Sequence, residues 1–394
     1  MVKYDRQVFN AENLQGGMET MKIKAFSVEE WMNAYETSAK YNIAETFVDS
    51  LTLEELATID GANADDFFRS LYPLKLTYGH IEGSPEFRRL VASLYATIDP
   101  HQVLVMNGAI GANFLVFYSL VEPGDHVIAV HPTYQQLYEL PRSFGATVDF
   151  LKLRPEHHFL PDLDELKSLI RPNTKMICLN NPNNPAGALM ERDMLEQIAE
   201  IARSCGAYVL CDEVCMNLLQ DDDADVPSIA DVYEKGISTS SVSKVLSLAG
   251  LRLGWIAAPQ EVITECMKHR DYTTISCGIL NEMLAVHALK NYDKILRRSR
   301  KILRDNLALL DEWVEKEAAF SYVKPRAGTT ALLKYDFEVP SVNFCTGLLA
   351  NTGAFLTPGT CFDMEGHVRI GYACSTEVLQ AGLEQISGYV RKMK

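Results

Sequence analysis

The 394-residue chain lacks any stretch of about 18 consecutive apolar residues, the length a membrane-spanning helix needs, so no membrane partner is expected. Its opening, MVKYDRQVFNAENLQGGMETMKIK, has no apolar core of a secretory signal. No C-x-x-C pair occurs, which argues against a zinc knuckle or a thioredoxin-like motif. The nine cysteines are scattered and sit mostly inside apolar runs (Cys178, Cys205, Cys211), the pattern of reduced thiols in a cytoplasmic protein. Cations are in deficit: 37 Lys+Arg against 52 Asp+Glu leave a net charge of −15. Phosphate surfaces repel such a chain, so nucleic acid is not an expected partner. A small basic pocket for an anionic ligand stays compatible with that balance.

What is present is an ordinary globular composition, 47% hydrophobic and 23% charged, at a length that usually makes two or three domains. From about residue 100, apolar runs of strand length alternate with helical patterns. The runs are Gln102–Met106, His126–Val130, Lys175–Leu179, Tyr208–Cys211 and Leu253–Ala257. Near-continuous apolar strands separated by helices predict a mostly parallel sheet covered on both faces. Residues 279–316 read as helix, including the basic run LRRSRKILRD, whose better reading is a solvated helix face and not an anion site. Strands are expected at Phe320–Val323, Thr329–Tyr335 and Val368–Tyr372, and a closing helix at 376–392. The Asp221–Asp223 run reads as an exposed loop, and residues 1–20 as a tail or arm.

In an open parallel sheet, ligands bind beyond the carboxyl ends of the strands, so polar residues there are the informative ones. After Met106 comes Asn107-Gly-Ala-Ile-Gly-Ala112, small enough to bring backbone N–H groups to a phosphate at a helix end, or simply to permit a tight turn. Tyr208–Cys211 runs into Asp212-Glu213, an acid that needs a partner: a capped element, a metal, or a protonated heterocyclic nitrogen. The histidines show no ligand spacing, and His157-His158 falls in a polar loop, so no metal is expected. In Ser241-Val-Ser-Lys-Val-Leu-Ser-Leu-Ala-Gly-Leu-Arg-Leu-Gly-Trp255, Lys244 in a desolvated cleft suits a Schiff base. Ser241, Ser243 and Arg252 suit a phosphate dianion; the plain alternative is a surface loop. The segment Leu179-Asn-Asn-Pro-Asn-Asn-Pro-Ala-Gly187 offers side-chain amides in a rigid turn, or only the exit of a strand.

Together these segments resemble the class I/II aminotransferases, fold type I enzymes that use pyridoxal 5′-phosphate (PLP), over about residues 30–392. The resemblance implies an α/β fold: a large domain built on a mostly parallel, seven-stranded-type sheet covered by helices, plus a smaller α+β domain. It divides the chain into 55–285 for the large PLP-binding domain, with 21–54 and 286–394 forming the small one from both chain ends. It makes Lys244 the Schiff-base lysine and Asp212 the partner of the pyridinium nitrogen. Asn184 falls to the ring hydroxyl oxygen and Tyr134, in His131-Pro-Thr-Tyr134, to stacking on the ring. Ser241, Ser243, Arg252 and the amides of Ala109 and Ile110 would hold the phosphate. Tyr78, in Leu76-Thr-Tyr-Gly79, would reach the phosphate of a neighbouring subunit's cofactor, which makes a homodimer the expected unit. Arg369, in Gly366-His-Val-Arg-Ile-Gly371, would grip the substrate α-carboxylate.

The implied activity is transfer of the α-amino group of an L-amino acid to a 2-oxo acid. The alternatives are other PLP reactions through the same carbanion (elimination, replacement, cyclisation or amino-acid oxidation) or a non-catalytic sensor domain. Three positions depart from the family pattern. Cys215 stands in Asp212-Glu-Val-Cys215 where a tyrosine is usual, and a thiol is the poorer donor to the ring oxygen. Ala186 replaces a proline-flanked threonine, and Glu45-Thr-Phe-Val-Asp-Ser-Leu51 lacks the Gly-rich pattern that commonly lines the substrate side. The segment Tyr272–Gly278 falls where side-chain selectivity is often decided.

Overall fold

The computed structural model describes residues 23–393; the expected tail at 1–20 lies outside them. After the first helix, α1 (Ser27–Tyr35), seven strands build the main sheet. They are β1 (Val103–Met106), β2 (His126–His131), β3 (Thr147–Lys152), β4 (Thr174–Asn180), β5 (Tyr208–Asp212), β6 (Gly236–Ser241) and β7 (Gly254–Ala257). Their spatial order is β1-β7-β6-β5-β4-β2-β3, and only β7 runs antiparallel to its neighbours. The central strands are buried on both faces, which is why they read as unbroken apolar runs.

Helices cover both faces. On one side lies α2 (Gly108–Leu120), whose Leu115, Val116 and Phe117 are fully buried against Leu104, Val127 and Ile256 of the sheet. On the other lies α3 (Arg192–Cys205), with Leu195, Ile198 and Ala202 against Ile177 and Val209. The predicted helical stretch forms two helices, α4 (Ile279–Lys290) and α5 (Tyr292–Lys316), broken at Asn291. The basic face of α5 is structural: Arg300 and Arg304 both pair with Asp222 of the exposed acidic loop, and Arg298 reaches the Asp49 carbonyl.

The second sheet has four antiparallel strands, β8 (Phe320–Tyr322), β9 (Thr330–Tyr335), β10 (Thr357–Pro358) and β11 (His367–Gly371), in the order β10-β11-β9-β8. The helices α6 (Ser341–Thr352) and α7 (Thr376–Met393) pack on it, together with α1. The N-terminal segment joins through a short parallel pair, Tyr41–Asn42 with Ala354–Phe355. It then lies across Gly371, whose N–H donates to the Ile43 carbonyl. A Cβ on Gly371 would stand 1.6 Å from the Glu45 carbonyl oxygen, so only glycine lets this segment close. That contact delivers Glu45 and Thr46 to the cleft between the two sheets.

Two strands of the main sheet were not expected from the sequence. β6, Gly236-Ile-Ser-Thr-Ser-Ser241, is polar yet wholly buried, and β3 is a mixed, half-exposed edge strand.

Candidate active site

Beyond the carboxyl ends of β4, β5 and β6 lies a cavity of about 420 Å³, lined by Ser241, Ser243, Lys244 and Arg252 together with Asp212, Asn184 and Tyr134. Ala109, Ile110 and Cys215 complete it, so the structure brings together every expected cofactor residue except Tyr78. Tyr78 is 74% exposed on the outer surface.

At one end the first turn of α2 presents the Ala109 and Ile110 amides at the positive end of a 13-residue helix. Gly108, in left-handed conformation, touches the Arg252 guanidinium: a Cβ there would meet its Nη2 at 3.0 Å. The side chains of Ser241 and Ser243 face the same end, and Ser241 Oγ accepts from the Ser243 N–H at 3.2 Å. Backbone amides, hydroxyls and a guanidinium converging on one space make an anion cradle sized for a phosphate.

At the centre Asp212 ends β5, buried at 4% exposure. Its Oδ2 accepts from Asn113 Nδ2 at 2.8 Å and its Oδ1 from the Val214 N–H at 3.2 Å. Asn113 is fixed in turn by Thr239 Oγ1, which donates to its Oδ1 at 2.6 Å. Burial raises the Asp212 carboxyl above the usual range, while the Asn113 hydrogen bond pulls it back. No cation pairs with Asp212 among the described residues. Glu213 turns the other way, into a network with Ser228, Ser238 and the Ile229 N–H, where burial pushes its carboxyl up to about 7.

Lys244 Nζ donates to Thr46 Oγ1 at 2.6 Å, and desolvation lowers its proton affinity. Cys215 lies beside it, its thiol pushed up to about 11 by burial. Tyr134 donates to Glu29 Oε1 at 3.3 Å. Arg369, at 2% exposure, is held by the Ala44 carbonyl (3.0 Å) and Thr357 Oγ1 (3.1 Å) and leans on Asn184 Oδ1 (3.3 Å). Sequence reasoning missed Asn113, Thr46 and Glu29. Asn113 sits at the sixth position of α2 and carried no motif; its only signal was an amide inside an apolar helix.

The family model for aminotransferases of class I and II matches residues 73–386. The chain belongs to that family. It is 30% identical to the capreomycidine synthase of Streptomyces vinaceus over 375 residues, 94% of this chain and 95% of that protein. A PLP-dependent aminotransferase from Streptococcus suis 89-1591 superimposes with a TM-score of 0.92 at 49% identity, covering 95% of this chain and 99% of that one. The PLP-dependent cyclase OrfR gives a TM-score of 0.87 at 27% identity, over 97% and 100% of the two chains. Both the mostly parallel seven-stranded sheet and the family assignment expected from the sequence are therefore observed. The cofactor is pyridoxal 5′-phosphate, and the cradle, the unpaired Asp212 carboxylate and the lysine between them fit it.

Replacing Asn113 by Ala tests how Asp212 is set. The hydrogen bond that lowers its proton affinity disappears, so the acidic limb of the pH–rate profile should move to higher pH. Turnover should fall by up to ~10²-fold, because the carboxylate is no longer held in place. An unchanged pH profile with full activity would remove Asn113 from this role.

Proposed function

We propose that the chain moves the α-amino group of an L-amino acid to a 2-oxo acid. The observation that carries it is Lys244 Nζ, poised inside one cavity between the Asp212 carboxylate, the anion cradle and the route to Arg369. When bound, PLP supplies an electron sink for the bond broken at the substrate α-carbon. Ser241, Ser243, Arg252 and the Ala109 and Ile110 amides would hold its phosphate, and Asp212 would keep the ring nitrogen protonated. Lys244 would anchor it covalently through its amine, and the same Nζ, once free, would be the base that takes the α-proton. Arg369 clamps the α-carboxylate and so sets which substituent points at Lys244. Tyr134 would pack on the ring, and Asn184, which accepts from Arg369, would link the cofactor side to the carboxylate clamp.

The same proposal includes a large PLP-binding domain at 55–285, a small domain from 21–54 and 286–394, a cytoplasmic location and a homodimer. Supporting the dimer, Tyr72, Leu76, Tyr78 and Ile81 of one segment and Tyr272, Ile275 and Leu280 of another are exposed, and the two segments meet where Gly79 packs against the Cys277 backbone. An apolar patch of that kind marks an interface, and pairing there would carry Tyr78 to a second subunit's phosphate.

A second reading, ring closure through the same α-carbon chemistry, is favoured by Cys215 beside Lys244 and by similarity along nearly the whole of a capreomycidine synthase. Stoichiometric holoenzyme with a panel of amino acids separates the two. An oxo acid plus the aminated cofactor is the expected result. A product that keeps its nitrogen while the cofactor returns to its resting spectrum supports the second reading. Silence toward every amino acid overturns both.

A further inference from the structure

Past Lys244 the cleft continues into a second chamber of about 220 Å³, which shares Glu29, Thr46, Tyr134, Asn184 and Lys244 with the first. Its end wall is Arg369, and its sides carry three carboxylates, Glu29, Glu36 and Glu45. Glu29, Asn33 and Glu36 recur at helical spacing along α1 and its 3₁₀ extension, so their side chains share one face. Glu45 faces them from the segment closed over Gly371 and accepts from Asn42 at 3.3 Å. Among the described residues none of the three glutamates makes an ion pair. Glu36 raises the proton affinity of Glu45, second only to burial, which places the two carboxyls within electrostatic reach. Independently, the buried Arg369 guanidinium on this chamber has an Nε with no hydrogen-bond partner, a donor set built for an anion.

With the α-carboxylate on Arg369 and the α-carbon at Lys244, the substrate side chain must enter the space among the glutamates. Among the described residues the chamber has no second cation to receive an acidic side chain, since its other positive group is Lys244 itself. Three carboxylates face two cations here, Lys244 and Arg369, both committed to the cofactor and the α-carboxylate, and a further positive group relieves the remaining repulsion in a partly desolvated site. We propose that the substrate is an α-amino acid with a cationic side chain, guanidinium or ammonium, held by Glu29, Glu36 and Glu45. This rests on the amino-acid reading above. A guanidinium suits the wall better, because its planar fork engages more than one carboxylate at once.

Titration of the PLP holoenzyme with L-arginine, L-lysine, L-citrulline, L-norleucine and L-glutamate, followed by the cofactor's visible absorbance, tests it. Citrulline matches arginine in shape but carries no charge. Arginine or lysine should half-saturate at a concentration at least about tenfold below citrulline and norleucine, with glutamate weakest. Glu36→Gln and Glu45→Gln should each raise half-saturation for the cationic amino acid several-fold, leaving that for citrulline and the resting absorbance unchanged. Calorimetric binding to the PLP-loaded Lys244→Ala protein should show the same order. Equal or tighter binding of citrulline or glutamate overturns the proposal, as do variants that weaken arginine and citrulline alike. A spectrum that no amino acid perturbs overturns the amino-acid reading itself, and this inference with it.

Discussion

Lys244→Ala should leave a folded protein that lacks the lysine Schiff-base absorbance, with turnover reduced at least roughly 10⁴-fold, as expected when a covalent nucleophile that also serves as base is lost. The fold should survive because the lysine ammonium has one partner, Thr46 Oγ1, and sits in a cavity and not in packed core. The phosphate cradle and Asp212 do not depend on it, so PLP should still bind, but reversibly and without the absorbance of a lysine Schiff base. Absorption spectra and single-turnover assays check this. A variant that keeps the wild-type band would move the reactive amine to another lysine.

Arg369→Ala should raise KM and lower kcat together, with kcat falling by about 10²-fold. Arg369 lies on β11 between Thr357 of β10 and Leu332 of β9, and hydrogen bonds to Ala44 and Thr357 fix its guanidinium before substrate arrives. The Phe362 ring lies 5.2 Å from it. Desolvation lowers its proton affinity to about 10, still high enough to keep it charged at neutral pH. Losing it removes the anchor for the α-carboxylate and also the orientation of the α-proton toward Lys244, which is why both constants should move. Arg369→Lys should restore little, because a point charge cannot reproduce the two-pronged grip. A change confined to KM would limit Arg369 to affinity alone.

How far the sequence revealed this site follows from where each residue lies in the fold. The apolar strands β1, β2, β4, β5 and β7 were legible because burial on both faces leaves a continuous hydrophobic run. The polar β6 was not. Its hydroxyls are satisfied inside the protein: Ser238 donates to Glu213, Thr239 to Asn113 and Ser240 to the Glu213 carbonyl. A buried strand whose polarity is consumed by its neighbours looks, in one dimension, like a loop. Lys244, Arg252 and the Asn-Pro segment were legible through local motifs. Thr46, Glu29, Glu36 and Asn113 were not, because they come from elements far apart in the chain that meet only through the Gly371 contact and the packing of α2. The segment Glu45–Leu51 was noted for the pattern it lacks; the structure shows that it instead supplies a carboxylate and a hydroxyl to the cleft.

The central claim is that Lys244 carries the cofactor. Borohydride reduction of the PLP-loaded protein, followed by peptide mass spectrometry, tests it most directly. A phosphopyridoxyl adduct on the peptide containing Lys244, and no adduct there in Lys244→Ala, is the predicted result. An unlabelled Lys244, or a label carried stoichiometrically by another lysine, would contradict it.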